Sequence, residues 1–147
     1  MATRTEWAVA TNACVPASGL NRFFVLYNKI DLSDINSAAS DVIQALAVPA
    51  KTFVIDVLTR VVTAEGGALT ATVGDGSGAA SWDGATDLNA SALTVTQSAA
   101  GTDAYATTAA KGKYYADEDT IDLTMSAAIG DAAVMEVFAI CVDLSSQ

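Results

Sequence analysis

The chain contains no histidine. The side chain that most often serves as neutral-pH general base and as metal ligand is therefore missing, which excludes Ser-His-Asp and Cys-His catalysis. Positive charge is scarce too: 7 Lys and Arg stand against 17 Asp and Glu, for a net charge of −10. Nucleic-acid backbones are held by Lys and Arg that displace counterions, and the one close pair here is Lys111 with Lys113, so no nucleic-acid partner is expected. No apolar run approaches the roughly 20 residues of a membrane span, and the opening MATRTEWAVA lacks the apolar core of about 7 to 15 residues that a secretory signal carries. The expectation is a product made soluble in the cytoplasm, with no membrane partner. The two cysteines, Cys14 and Cys141, are too few for a secreted disulfide framework. Cys141 lies in the apolar run AVMEVFAICVDL and reads as a small buried hydrophobe, with a Cys14–Cys141 bridge as the weaker alternative.

What the chain does have is alternation. With 147 residues it is long enough for one domain that buries about 68 to 70% of its unfolded surface. Apolar residues make up 52% and charged ones only 16%, a composition that leaves few solvating groups for a monomer's surface and points to burial against other copies or another protein. In VPAKTFVIDVLTRVV, residues 48–62, Phe53, Ile55, Val57, Thr59 and Val61 fall on one face of an extended chain and Thr52, Asp56 and Arg60 on the other. That is a long strand with one inner face. RFFVLYNKI, residues 22–30, is apolar on both faces and predicts burial on both sides. The last strand, 132–143, reads as core, so Phe138→Ala is expected to cost about 3 to 5 kcal/mol.

Between these lie weaker signals. Residues 31–47 fit a 3.6-residue period capped by Ser33, and also a strand ending before Pro49; the reading taken is a loop to about Ser40 and a strand after it. A Gly66-Gly67 turn predicts a hairpin between strand 51–63 and strand 68–73. A Gly, Ser, Ala and Asp loop is expected from Gly74 to about Asn89, followed by strands in SALTVTQ, KYYA and TIDLTMS. The fold class is all-β: an antiparallel two-sheet sandwich, jelly-roll-like, of about eight strands. Residues 1–20 form an N-terminal arm and 21–147 a single β-sandwich domain. Within the arm Trp7, near Val9, either anchors on a partner or packs on its own domain.

The constellations that could carry chemistry each fall short. Gly74-Asp75-Gly76-Ser77-Gly78 looks like a phosphate cradle but no helical pattern follows it. Asp75, Asp83 and Asp87 lack the spacing and closing glutamate of a calcium loop. Asp117, Glu118 and Asp119 sit side by side in a turn and Asp122 alternates outward from Ile121 and Leu123, which describes a solvated edge and not two carboxylates facing across a cleft. Trp82, between Ser81 and Asp83, could stack on a sugar, cap the open end of the sandwich or meet a neighbouring subunit. No catalytic residue, cofactor-binding residue or metal ligand is assigned. The interface candidates are Trp7, Val9 and Trp82.

The runs SDVIQALAVPAKTFVIDVLTRVVTAEGGALTATVGDG, ADEDTIDLTMS and AVMEVFAICVD resemble those of small virion proteins of tailed bacteriophages, especially short-tailed phages of marine bacteria. The resemblance spans residues 22–143 and rests on strand rhythm and turn residues. It implies a capsid decoration, cement or head-fibre component of the virion with a jelly-roll domain; the acidic balance favours the outer capsid surface, and with no catalytic set found no enzymatic activity is expected. The partners expected are the major capsid protein and, from the low surface charge, further copies of itself, a trimer favoured over a dimer. The competing reading is a receptor- or glycan-binding module of a head fibre or tail.

Overall fold

The computed structural model describes residues 3–5, 22–35, 38–90, 95–97, 111–130 and 132–145. Ten strands account for most of them: β1 (Thr3–Thr5), β2 (Arg22–Asp31), β3 (Val42–Val48), β4 (Thr52–Thr63), β5 (Thr70–Asp75), β6 (Gly78–Asp87), β7 (Val95–Gln97), β8 (Lys113–Tyr115), β9 (Asp119–Met125) and β10 (Val134–Asp143). The segment before β3 contains one 3-10 turn, Leu32–Asp34, because the Asp31 carboxylate accepts from the Ser33 backbone N–H at 3.1 Å and stops β2 there.

The strands form two sheets, ordered β1-β3-β9-β5-β6 and β2-β10-β4-β7, with β8 also pairing with β4. Apart from the parallel β1–β3 pair, every ladder is antiparallel. Sheet neighbours are distant in sequence: Arg22 of β2 faces Asp143 of β10, and β3 pairs with β9. Consecutive strands β2, β3, β4 and β5 alternate between the sheets, which is the jelly-roll winding of two interlocked Greek keys. The expected β4–β5 hairpin is therefore corrected. Gly66, at φ +84°, turns the chain across the sandwich into the other sheet, and the β4–β5 link is held by Glu65 N–H donating to the Leu88 carbonyl at 3.0 Å.

The core lies between the sheets. Leu26 and Ile30 of β2, Ile43 of β3, Ile121 and Leu123 of β9, and Met135 and Val137 of β10 are all buried there. On β4 the inner face changes phase. Val54 pairs with Cys141 and Asp56 with Ile140, so Ile55 has no partner and forms a bulge. Before it, Thr52 and Val54 point inward and Phe53 is half-buried outside; after it, Val57, Thr59 and Val61 point inward. The single inner face expected for Phe53, Ile55, Val57, Thr59 and Val61 is thus split by one extra residue.

Two further expectations change. The 74–89 segment is not a loop: β5 and β6 make a hairpin whose turn is fixed by the Asp75 carboxylate accepting from Ser77 N–H at 2.9 Å and Gly78 N–H at 3.3 Å. A Cβ on Gly74 would lie 2.0 Å from the Gly78 carbonyl oxygen, so the close approach of the two strands depends on that glycine. And β2 is buried on one face only. Phe23, Val25 and Tyr27 remain 74%, 53% and 42% exposed.

Candidate functional site

At one end of the sandwich a polar cluster ties the sheets together. The Asp75 side chain, shut off from solvent, accepts from Lys113 Nζ at 2.8 Å and from the Tyr115 hydroxyl at 2.7 Å. Trp82 Nε1 donates to the same hydroxyl at 3.2 Å, and Lys113 Nζ also reaches Ser77 Oγ at 3.0 Å. Burial by itself would raise the Asp75 carboxyl, but the hydrogen bonds from Lys113, Tyr115 and Ser77, with the Lys113 charge, outweigh it and hold the group below its ordinary value. Every polar atom here is spoken for within the chain. The cluster is a strut from β8 to the β5–β6 hairpin, not a reaction site.

Trp82 was a candidate contact for a partner or a sugar. Its indole is fully buried, so it fills the core and cannot present a ring to a ligand. Asp83 and Asp87 hold their own turns, accepting from Ala85 N–H and Asn89 N–H, and among the described residues no three acids or cysteines converge as metal ligands. Trp7, Val9 and Cys14 lie outside the described residues. Cys141 is a free, buried thiol that burial pushes up to about 12, which keeps it protonated and unreactive at neutral pH.

The acidic group on β9 does not lie on a sheet edge, because β9 runs between β3 and β5. Asp122 is half-buried on the outer face, and burial raises its carboxyl, with the charges of Asp119 and Asp75 adding to the effect against a hydrogen bond from Thr120. Beside it is an open groove of about 590 Å³ lined by Gln44, Ala47, Val48, Pro49, Glu118, Asp119 and Thr120. Its two acids are chain neighbours on one wall, an arrangement without the opposed carboxylates that glycoside hydrolysis needs.

The two outer sheet faces differ sharply in charge. Strands β3, β9, β5 and β6 carry Asp83, Asp87, Asp119 and Asp122 besides the buried, Lys113-paired Asp75, and no Lys or Arg; the one cation in the strands of this sheet is Arg4 of β1. Strands β2, β4, β8 and β10 balance four cations (Arg22, Lys29, Arg60, Lys113) against four anions (Asp31, Asp56, Glu136, Asp143). On the outside of this second sheet, cross-strand pairing lines up largely apolar rows: Phe23, Val142, Phe53 and Tyr114 in one, Val25 and Ile140 with Asp56 at its β4 end in the next, Tyr27, Phe138 and Leu58 in the third. The rings of Tyr27 and Phe138 meet at 5.0 Å. A polar row closes the field. There Glu136 accepts from Arg60 Nε at 2.6 Å and from the Tyr27 hydroxyl at 3.0 Å, a bond that holds the tyrosine phenol above its ordinary value. Sequence alternation located these side chains but assigned β2 to a covered position; periodicity cannot distinguish burial in a core from burial under a partner.

No known protein family matches the chain, and no curated protein sequence matches it. Solved structures do. A chain of the capsid of Ralstonia phage GP4 superimposes with a TM-score of 0.62 at 17% identity, covering 91% of this chain and 93% of that one. The fold is shared with phage capsid chains. A chain of the cyanophage Pam1 capsid asymmetric unit gives 0.58 at 14% identity over 90% and 93%. One from the acid-stable capsid of Helicobacter pylori bacteriophage KHP30 gives 0.57 at 16% over 83% and 87%. At these identities the likeness establishes the jelly-roll fold and its near end-to-end coverage.

Proposed function

We propose that this chain is a non-enzymatic structural protein of a bacteriophage virion that binds the outer capsid surface and stabilises the shell, as a decoration or cement protein. The observation that carries the reading is the near-complete overlap of the whole chain with chains from three phage capsids, with no large domain left over on either side. A two-sheet sandwich that buries its own core can add interface area where shell subunits meet. The acidic balance favours an outward position, since an inward one would set carboxylates against packaged DNA. Within the expected arm, Thr3–Thr5 is held by β3 of the chain's own sheet, and in this reading Trp7 and Val9 are the arm residues that contact the neighbouring subunit. The burial of Trp82 weighs against the glycan-binding alternative, which relied on that ring.

Mixing the purified protein with undecorated capsids tests the proposal. Co-sedimentation and a gain in heat or chelator resistance are expected; capsids that neither retain the protein nor gain resistance would remove it.

A further inference from the structure

The outer face of the β2-β10-β4 sheet is the largest uncovered apolar area among the described residues, and its charge pattern indicates what covers it. Copies of a chain with net charge −10 repel one another wherever acids dominate, and on strands β3, β9, β5 and β6 the charged side chains other than the Lys113-paired Asp75 are the acids Asp83, Asp87, Asp119 and Asp122, against the single cation Arg4 of β1. The other face is charge-balanced, with Glu136 already neutralised by Arg60 and Asp56 by Lys111 at 3.3 Å. Two copies can meet there without electrostatic cost.

The size also fits. Strands of ten residues at about 3.3 Å per residue, three to four of them about 4.8 Å apart, give a field of roughly 500 Å² in projection, hence roughly 1,000 Å² for a pair of such faces. With the polar row of Lys29, Glu136 and Arg60 included, that matches the roughly 1,000 Å² a specific interface must clear. Its composition of Phe23, Tyr27, Phe138, Val25 and Ile140, rimmed by Arg60, is the aromatic and aliphatic centre with polar margin that such interfaces use.

We propose that this face is the contact through which copies of the protein associate with one another in solution. The proposal concerns the free protein and does not depend on the shell reading. Phe23 and Val25, the most exposed of the group, centre the contact on the β2 side, and Tyr27 with Phe138 forms its aromatic end.

The experiment is sedimentation equilibrium of the full chain at about 1 to 100 μM, wild type against Phe23→Lys/Val25→Lys, with Ala85→Lys on the acidic sheet as control. A discrete multiple of the 15.0 kDa chain mass is expected for wild type and control. In the double variant the dissociation constant should rise at least about 100-fold, with an unchanged circular dichroism spectrum. Should the double variant fail to fold, Phe23→Ser, at a position in open solvent, should weaken association by about tenfold. A wild type that stays monomeric at 100 μM, or an oligomer indifferent to the β2 substitutions, overturns the proposal. If a monomeric wild type co-sediments with capsids and the double variant does not, the face belongs to the shell contact instead and self-association is refuted while the virion role stands.

Discussion

Replacing Lys113 by Met tests the strut between the sheets most directly. The substitution keeps the length of the stem and removes the ammonium that Asp75 Oδ2 accepts at 2.8 Å, leaving a carboxylate with no exposed surface and no cation. Breaking a fully buried ion pair from one side costs about 3 to 5 kcal/mol. Two features reduce that here. Asp75 keeps its bonds from Tyr115, Ser77 and Gly78, and Lys113 is itself 20% exposed in its side chain, so the pair is partly screened. A loss of about 2 to 3 kcal/mol at pH 7 is expected, read as the shift of the urea midpoint at constant m-value, or about 5 to 10 °C in Tm. The pH dependence adds a sign. In the wild type the Asp75 carboxyl is lowered, so its contribution is complete above the unfolded value near about 3.9 and fades as pH falls through the folded one. Without Lys113 the burial that raises the carboxyl is opposed only by the Tyr115 and Ser77 hydrogen bonds, so the group moves up from its wild-type value and the gap to wild type should narrow as pH falls. Asp75→Asn should cost less, because Lys113 can turn to solvent, and the Lys113→Met/Asp75→Asn double variant should be less unstable than the sum of the two. A Lys113→Met loss below 0.5 kcal/mol, or one that widens on acidification, would refute the buried-strut reasoning.

Three other expectations follow from side-chain placement. Phe138→Ala should cost about 1 to 2 kcal/mol in the dissociated protein and not the 3 to 5 of a core phenylalanine, because the ring lies half-buried on the outer face against Tyr27; Met135→Ala, on the inner face of the same strand, should cost about 2 to 5 by urea denaturation. In a Cys14→Ser background, Cys141 should resist iodoacetamide at pH 8 and be alkylated only after denaturation. Asp122→Asn should raise the urea midpoint at pH 7, since the native carboxyl is raised and its ionised form is the disfavoured one; the gain should vanish as pH falls below the unfolded carboxyl value.

Much of the architecture was legible in the residues. Alternation marked β4, β9 and β10 within two residues of their ends, and the turn residues between them were enough for an all-β jelly roll. What stayed hidden has identifiable causes. The bulge at Ile55 carries no compositional mark, yet it exchanges the inner and outer faces of half a strand. β6, rich in Gly, Ala and Ser, has no β-branched residue before Thr86, so its strand character comes from pairing with β5 across Gly74 and not from propensity. Asp75 and Tyr115 are 40 positions apart, and no local spacing announces that they touch. The candidate contact face was visible as residues and invisible as a surface, because exposure is decided by which strand ends up outermost.

The central position of β10 constrains how the molecule can be made. This strand lies between β2 and β4, so neither has its main sheet neighbour until Val134–Asp143 has been synthesised. Until β10 has been made, β2 and the β10-facing edge of β4 hold their backbone groups open. Truncation before Val134 would therefore abolish the fold outright instead of trimming its end, leaving strands that invite intermolecular pairing.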